Sequence, residues 1–362
     1  MHFSRSPFRP SFRFRIRIPH PVWILAAPMI LAVIAGLLRI GVPVYRERTA
    51  IRQIELMDGK CYPVRSLPEW VYDCLGKDGA EWFEPIHSVV FQDVPLRDRD
   101  LATVAGLSRV EKLGLHDVPL TDACFAHLAC VPSLHDVELV RVPVTGEGLR
   151  ELRGRAPLKS LFVMGCPMTD AGLSEIARLK SLESVSLIAN DPGGNDARQM
   201  TDAALAALSA LPALTHLCLE SADITDASLA VIGQMHGLTR LRLARAGISD
   251  TGLAELRGLA RLEWLALNVI DGISDTGLEP LAALENLSHL ELAGTPITDR
   301  GLARLRDLAR LRDVNLNGTC VTLTGIAELT NSMPELFVAA EHLYAAPEAL
   351  EELPPGLPPG LR

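Results

Sequence analysis

The side chains of this 362-residue chain that could carry out chemistry are dispersed along it rather than gathered into motifs. The sequence contains no nucleophile elbow, phosphate-binding loop, kinase signature or zinc-binding helix. Two histidines, His216 and His289, fall beside expected strands with outward side chains, where a lone histidine is usually solvated or hydrogen-bonded. The other histidines between residues 116 and 289 are far apart in the sequence or fall in different repeats: His116, His127, His135 and His236. We therefore expect no catalytic residue, no metal, no cofactor and no small-molecule substrate.

The cysteines show no zinc-binding spacing and no Cys-x-x-Cys pair. They are Cys61, Cys74, Cys124, Cys130, Cys166, Cys218 and Cys320. Cys124 and Cys130 are six residues apart, which puts them on different faces of a helix. Cys61 and Cys74 are the one pair that could be bridged in an oxidising compartment, and the sequence leaves their state open.

A phrase of the Thr/Ser-Asp-x-x-Leu type recurs at a nearly fixed step. Its first residues are Thr121, Thr145, Thr169, Thr201, Thr225, Ser249, Ser274, Thr298 and Thr322, at steps of 24, 24, 32, 24, 24, 25, 24 and 24 residues. A Thr or Ser side chain can accept a hydrogen bond from the first free amides of a helix, and Asp suits the positive end of the helix dipole. We interpret these aspartates as helix caps rather than catalytic carboxylates.

About a dozen residues after each phrase comes Leu-x-x-Leu-x-Leu, as at Leu214, Leu217 and Leu219, which indicates one short strand per repeat. Side chains alternate across a strand, so the flanking apolar residues point inward and the central residue points outward. Parallel strands stacked at about 4.8 Å would form a sheet along one face of a solenoid. The ten expected strands are centred on Val90, Gly114, Glu138, Phe162, Ser186, Cys218, Arg242, Ala266, Glu291 and Asn315.

The phrase Thr169–Leu173 (Thr-Asp-Ala-Gly-Leu), with Leu-x-x-Leu-x-Leu, resembles the ribonuclease-inhibitor-like and cysteine-containing classes of leucine-rich repeat. The resemblance covers residues 88–340. It implies an α/β leucine-rich repeat solenoid, a horseshoe of about ten 24-residue turns with a parallel concave sheet and convex helices. Some relatives are ubiquitin-ligase receptors with an F-box before the repeats. The layout of this chain looks more like the membrane-anchored leucine-rich repeat proteins of planctomycete bacteria.

The hydrophobic stretch at residues 22–44 predicts a transmembrane signal-anchor, because it holds only one charged residue, Arg39, and about 20 apolar residues cross a bilayer. Five arginines and no acid precede it, so we expect a cytoplasmic N-terminus and extracytoplasmic repeats in a single-pass membrane protein. A cleaved signal peptide and a buried hydrophobic helix are the alternatives.

The expected organisation is a basic cytoplasmic tail (1–21), the transmembrane signal-anchor (22–44), an N-terminal cap (45–87), the solenoid (88–340) and a Pro-rich disordered tail (341–362). We interpret Ser66–Gly76, with Trp82 and Phe83, as cap packing over the open end of the core. Residues 1–52 hold nine of the 35 basic residues and one of the 44 acidic residues, so the rest carries a formal charge of −17. This charge argues against a nucleic acid partner.

The 32-residue step places eight extra residues at 189–200, which must leave the solenoid as a loop. The loop contains Asn190, Asp191, Asn195 and Asp196. These oxygens could surround calcium, but their spacing is not that of a calcium-binding loop, and a simple turn is favoured.

Four outward positions carry apolar bulk: Phe162, Met164, Ile188 and Trp264. Exposed apolar residues often mark a binding site, and Trp is a common anchor. The charged residues expected around them are Glu138, Glu220, Arg240, Arg242, Glu291 and Asp313. The leading hypothesis is a non-enzymatic, membrane-anchored scaffold that binds a protein or peptide on the concave face. The alternatives are an envelope spacer without a discrete ligand, which should be uniformly polar, and a soluble F-box-type substrate receptor without a recognisable F-box.

Overall fold

The computed structural model describes residues 42, 44–64, 67–70, 72–74, 76, 84–107, 109–188, 202–220 and 224–341. Predictions for the basic tail, for residues 22–41, for the loop at 189–200 and for residues 342–362 lie outside this range, as do those for Trp82 and Phe83. The chain divides into two units, Met1–Arg48 and Thr49–Arg362. The fold described below is that of the second unit.

A single sheet of twelve strands, ordered as in the chain, runs through the described residues. Strand β1 is antiparallel to β2, and β2 to β12 are all parallel. The strands are β1 (Lys60–Pro63), β2 (Ile86–Gln92), β3 (Lys112–His116), β4 (Asp136–Val140), β5 (Ser160–Met164), β6 (Ser184–Ile188), β7 (His216–Glu220), β8 (Arg240–Ala244), β9 (Trp264–Asn268), β10 (His289–Glu291), β11 (Asp313–Asn315) and β12 (Phe337–Ala339).

The strand register confirms the ten strand centres expected from the sequence. Val90 pairs with Gly114, Gly114 with Glu138, and the same ladder continues without a slip to Asn315. It then reaches Ala339 on β12, an eleventh parallel strand that the sequence prediction missed. The register is kept even across the 32- and 25-residue steps, because each turn returns the chain to the same position on its neighbour and the extra residues lie outside the strands.

Short helices follow the strands and form the second layer. The α-helices are Cys124–Leu128, Asp170–Ile176, Asp202–Leu208, Asp226–Ile232, Asp250–Leu253, Asp299–Leu305 and Leu323–Ser332. The 3₁₀ helices are Asp98–Gly106, Glu147–Leu152, Ala254–Gly258 and Asp275–Ala283. The predicted caps are confirmed at six copies of the phrase, where the Thr or Ser side chain accepts a hydrogen bond from a backbone amide in the first turn: Thr169, Thr225, Ser249, Ser274, Thr298 and Thr322. The prediction was wrong at Thr121 and Thr145, whose helices begin at later residues without a side-chain cap, and Thr201 lies outside the described residues.

The repeat leucines fill one continuous core between the sheet and the helices. In β7, Leu217 and Leu219 are buried while His216, Cys218 and Glu220 stay partly exposed. Full burial of a leucine side chain contributes about 1.5–3 kcal/mol, so each turn is stabilised mainly by its inward side chains and those of its neighbours.

The prediction of a transmembrane helix before the repeats was wrong. Among the described residues, no helix is both long enough and apolar enough to cross a membrane. The described helix at residues 44–56, which shares only residue 44 with the predicted span, is too charged to cross a membrane. It carries Arg46, Glu47, Arg48, Arg52 and Glu55. For the described residues the fold class is therefore the α/β solenoid, and the single-pass membrane localisation that rested on the predicted helix is withdrawn.

The N-terminal cap of the second unit packs through aliphatic residues rather than through the aromatic residue expected there. Ala50, Ile51 and Ile54 are buried in the core, whereas Trp70 is 66% exposed. Cys61 and Cys74 are free thiols in this structure. Burial, and then the nearby Glu55 carboxylate, raise the pKa of Cys61 to about 11.

Candidate interaction surface

The outward side chains of β2 to β12 form one surface, which we call the sheet face. Three ladders of paired residues make it up. The central ladder holds the strand centres named above. The first ladder contains Ser88, Lys112, Asp136, Ser160, Ser184, His216, Arg240, Trp264, His289, Asp313 and Phe337, and the last contains Gln92, His116, Val140, Met164, Ile188, Glu220, Ala244 and Asn268.

An apolar cluster lies on β4 to β6. Met164 pairs with Val140 on one side and with Ile188 on the other, and Phe162 sits on the same strand between Glu138 and Ser186. Phe162, Met164 and Ile188 are partly exposed, although the inward positions of their strands are buried. These side chains therefore add apolar area to the sheet face rather than to the core. We define the apolar cluster as the partly exposed Phe162, Met164 and Ile188 together with the buried Val140, which is paired with Met164.

An arginine–tryptophan cluster, defined as Arg240, Arg242 and Trp264, lies on β8 and β9. Arg240 pairs with Trp264 on β9 and with His216 on β7. Arg242 sits two residues further along β8, between Cys218 and Ala266. Burial, and then the Arg240 charge, lower the pKa of His216 below its ordinary value. A neutral His216 leaves the two guanidinium groups as the positive charges of this cluster.

Charged side chains elsewhere on the sheet face are paired across neighbouring strands. Lys112 contacts Asp136 at 3.5 Å, and His289 contacts Asp313 at 3.0 Å. Glu138 and Glu220 are paired as well, with His116 at 3.3 Å and with Arg245 at 3.4 Å. The Asn268 side-chain amide donates to Glu291 at 2.8 Å. Neither Arg240 nor Arg242 has an ion pair or side-chain hydrogen bond within the described part of the chain.

The predicted binding residues thus fall into separate groups. Phe162, Met164 and Ile188 lie together, and Arg240, Arg242 and Trp264 lie together. Four strand steps, about 19 Å, separate β5 from β9. Glu291 lies next to the second group but is engaged by Asn268. Sequence reasoning missed Val140, which occupies the same strand position as Met164, and the 63% exposed Phe337 on β12.

Aspartates that begin the helices also bind the following turn. The Asp226 carboxylate accepts from the Ser249 amide at 2.7 Å, the Ser249 hydroxyl at 2.6 Å and the Thr251 hydroxyl at 2.8 Å. Five further pairs share the amide and hydroxyl contacts: Asp98–Thr121, Asp122–Thr145, Asp250–Ser274, Asp275–Thr298 and Asp299–Thr322. We call this contact the aspartate clamp. It gives these carboxylates a structural role beyond the predicted cap.

The clamp lowers the pKa of its carboxylates. Burial alone would raise the pKa of Asp250, but hydrogen bonds from the hydroxyl and amide of Ser274, the Thr276 hydroxyl and the Gly277 amide outweigh it. The pKa values of Asp122 and Asp226 are lowered by the same balance of burial against hydrogen bonds. All three groups are therefore held ionised, as acceptors of fixed donors.

The described residues contain no group of three or more His, Cys, Asp or Glu side chains arranged to hold a metal ion. Three thiols that are buried or partly buried are also poorly suited to nucleophilic chemistry. Burial raises the pKa of Cys124, Cys166 and Cys218, to about 11 for Cys166. A thiol with a raised pKa is a weak nucleophile at neutral pH.

Comparisons with known proteins find one leucine-rich repeat and low overall similarity to solved structures. The family model described as Leucine Rich repeat matches residues 283–305. No curated protein matches the chain. Among solved structures, an internalin (InlF) from Listeria monocytogenes str. 4b F2365 is similar at 17% identity and a TM-score of 0.42, covering 75% of this chain and 93% of its own. Internalin C2 from the same strain shows 22% identity and a TM-score of 0.36, covering 67% and 83%. The chain thus carries a recognised leucine-rich repeat within its α/β solenoid.

Proposed function

We propose that this protein is a non-enzymatic scaffold that binds a protein or peptide on its sheet face. The observation that carries the proposal is the apolar cluster. Phe162, Met164 and Ile188 project from the side of the sheet opposite the core and are partly exposed, and the register aligns Met164 with both Val140 and Ile188. Adjacent apolar side chains on an open surface favour association with another molecule.

The alternative of an envelope spacer is less well supported, because a spacer without a ligand needs no apolar side chains on its open face. Polar residues surround the cluster, among them Glu138, Ser160 and Ser186. An apolar centre within a polar surround is the arrangement of a protein-binding surface.

We also propose that the repeats belong to the ribonuclease-inhibitor-like or cysteine-containing class. The Thr-Asp-x-Gly phrase supports this, since it starts a short helix in the turns that contain it, as at Thr169 and Thr298. This assignment concerns the architecture and does not identify a partner.

A random peptide library displayed on phage and selected on the full chain tests the proposed function. We expect enriched peptides whose affinity falls at least tenfold in Phe162→Ala, because truncation of an anchor side chain at a hot spot costs about 2 kcal/mol or more and tenfold corresponds to about 1.4 kcal/mol. Phe337→Ala is the matched control. It removes the same side chain from the same face, about 34 Å away on β12, where Phe337 is 63% exposed.

The proposal fails if no peptide is enriched over an unrelated bait. It also fails if Phe162→Ala and Phe337→Ala weaken binding equally, since the apolar cluster would then have no special role. Near-ultraviolet circular dichroism of both variants shows whether the solenoid is intact.

A further inference from the structure

The unpaired arginines of β8 differ from the other strand cations of the sheet face. Lys112 is the remaining Lys or Arg within β2 to β12, and it is paired with Asp136. Arg242 Nε is buried from solvent and has no hydrogen-bond partner among the described residues. A buried donor on a charged group is costly when unsatisfied, by about 1–3 kcal/mol or more. Such a group indicates a missing acceptor.

The acids near the arginine–tryptophan cluster do not supply that acceptor. Glu220 is paired with Arg245, and Glu291 accepts from Asn268. Glu183 is paired with Lys159 at 3.1 Å. Glu263 directly precedes Trp264 and is exposed, outside the three ladders. Arg240 and Arg242 thus form a positive site within a region of the chain that is acidic overall.

We propose that the arginine–tryptophan cluster recognises an acidic segment of the partner protein, and this proposal rests on the function proposed above. A guanidinium group binds a carboxylate through two parallel hydrogen bonds. Arg240 and Arg242 are two residues apart on one strand, which corresponds to about 6.6 Å. Alternate side chains of an extended peptide have the same spacing, so the preferred segment is Glu-x-Glu or Asp-x-Asp running along β8.

Trp264 supplies the apolar part of the site. It is partly exposed and lies beside Arg240 in the strand register. A tryptophan next to two arginines combines residue types that are enriched at the energetic centres of interfaces. An apolar residue next to the acidic pair of the ligand would pack on this ring, and the carboxylates would face the guanidinium groups.

A pool of fluorescent peptides that each contain Glu-x-Glu, with all other positions random, tests this proposal by anisotropy against the full chain. The same pool with Gln-x-Gln is the uncharged comparison. We expect the Glu pool to bind at least tenfold more tightly than the Gln pool, and to lose at least tenfold in affinity in Arg242→Gln. If Arg242→Gln does not fold, the loss of affinity for the Glu pool is measured in Arg240→Gln instead. Arg300→Gln is the control, because Arg300 is exposed on a helix away from the sheet face.

Equal affinity for the Glu and Gln pools overturns the proposal, as does an equal effect of Arg242→Gln and Arg300→Gln.

The last measurement uses a chain shortened to end at Glu341, since residues 342–362 include three glutamates that could themselves occupy the site, Glu348, Glu351 and Glu352. Binding that occurs only in the shortened chain would assign the site to the protein's own tail and overturn the proposal of an external ligand. The scaffold function stands if phage-selected peptides still depend on Phe162 but not on Arg242.

Discussion

In six repeats a single aspartate at the start of a helix also holds the turn that follows it. The Asp250 carboxylate joins its own helix to Ser274 and Thr276 of the next turn. In the turn that follows β4, Gly146 stands where the other turns have this aspartate. There the Thr169 hydroxyl donates to the Thr145 carbonyl at 3.4 Å instead. A side-chain clamp is thus replaced by a longer contact to the backbone where Asp is missing.

Asp250→Asn should destabilise the protein by about 1 kcal/mol near neutral pH, because the variant loses charged hydrogen bonds at a partly exposed site. The folded-state pKa is lowered, so the stability that ionised Asp250 contributes is present above the unfolded-state pKa of about 3.9 and is lost as pH falls through the folded-state value. Urea unfolding between about pH 2 and 7 should show the two proteins converging at the acidic end.

Asp271→Asn, at an exposed aspartate without a clamp contact, is the control and should leave stability unchanged across this range. A stability difference between wild type and Asp250→Asn that stays constant down to the lowest pH would contradict the clamp as an ionic contact.

The sequence predicted the caps but not the clamp. The Thr/Ser-Asp phrase indicates where a helix begins, since capping is a local interaction. The acceptor role of Asp toward the next turn depends on how turns stack, and that contact joins residues 23 to 26 positions apart. Asp98 was missed for the same reason, because Arg97 occupies the Thr position although Asp98 clamps Thr121.

At the scale of elements, the glycine of the phrase sets how closely one helix start approaches the preceding turn. A Cβ atom on Gly277 would overlap Asp250 Oδ1, and one on Gly325 would overlap Asp299 Oδ1. The glycine is needed for this close approach, since neither residue has a positive φ.

Gly277→Ala should therefore destabilise the protein by about 1–3 kcal/mol through overpacking against the clamp. Helix propensity alone would give the opposite sign, a gain of up to about 1 kcal/mol. Gly258→Ala is the matched control, because its added Cβ would have no neighbour closer than 3.4 Å. Chemical denaturation of both variants measures the difference. A Gly277→Ala variant as stable as the wild type would refute the close approach.

Strands were more predictable than the ends of the chain. Leucines spaced two apart fix which side chains of a strand point inward, so the strand centres follow from the repeat alone. The final strand was missed because Leu336 and Val338 only weakly match the repeat leucines, although Val338 is buried in register with Val314. The transmembrane prediction rested on hydropathy over residues 22–44 alone, and no helix among the described residues is long and apolar enough to cross a membrane.

On the whole molecule, the sheet face combines cross-strand contacts between charged side chains with two groups that take no part in them, the apolar cluster and the arginine–tryptophan cluster. Sequence reasoning found both groups, because outward strand positions follow from the repeat. It could not tell that Glu138, Glu220, Glu291 and Asp313 are engaged by neighbours while Arg240 and Arg242 are not. That distinction depends on side-chain geometry between strands.

Photo-crosslinking tests the central claim of a binding sheet face most directly. A photoreactive phenylalanine analogue replaces Ile188 of the apolar cluster in one variant and Ala303, exposed on the helix Asp299–Leu305, in another. Each variant is irradiated with a phage-selected peptide, and the adducts are measured by mass spectrometry. We expect an adduct from position 188 and none from position 303. An adduct from position 303 alone, or equal yields from both positions, would contradict binding on the sheet face.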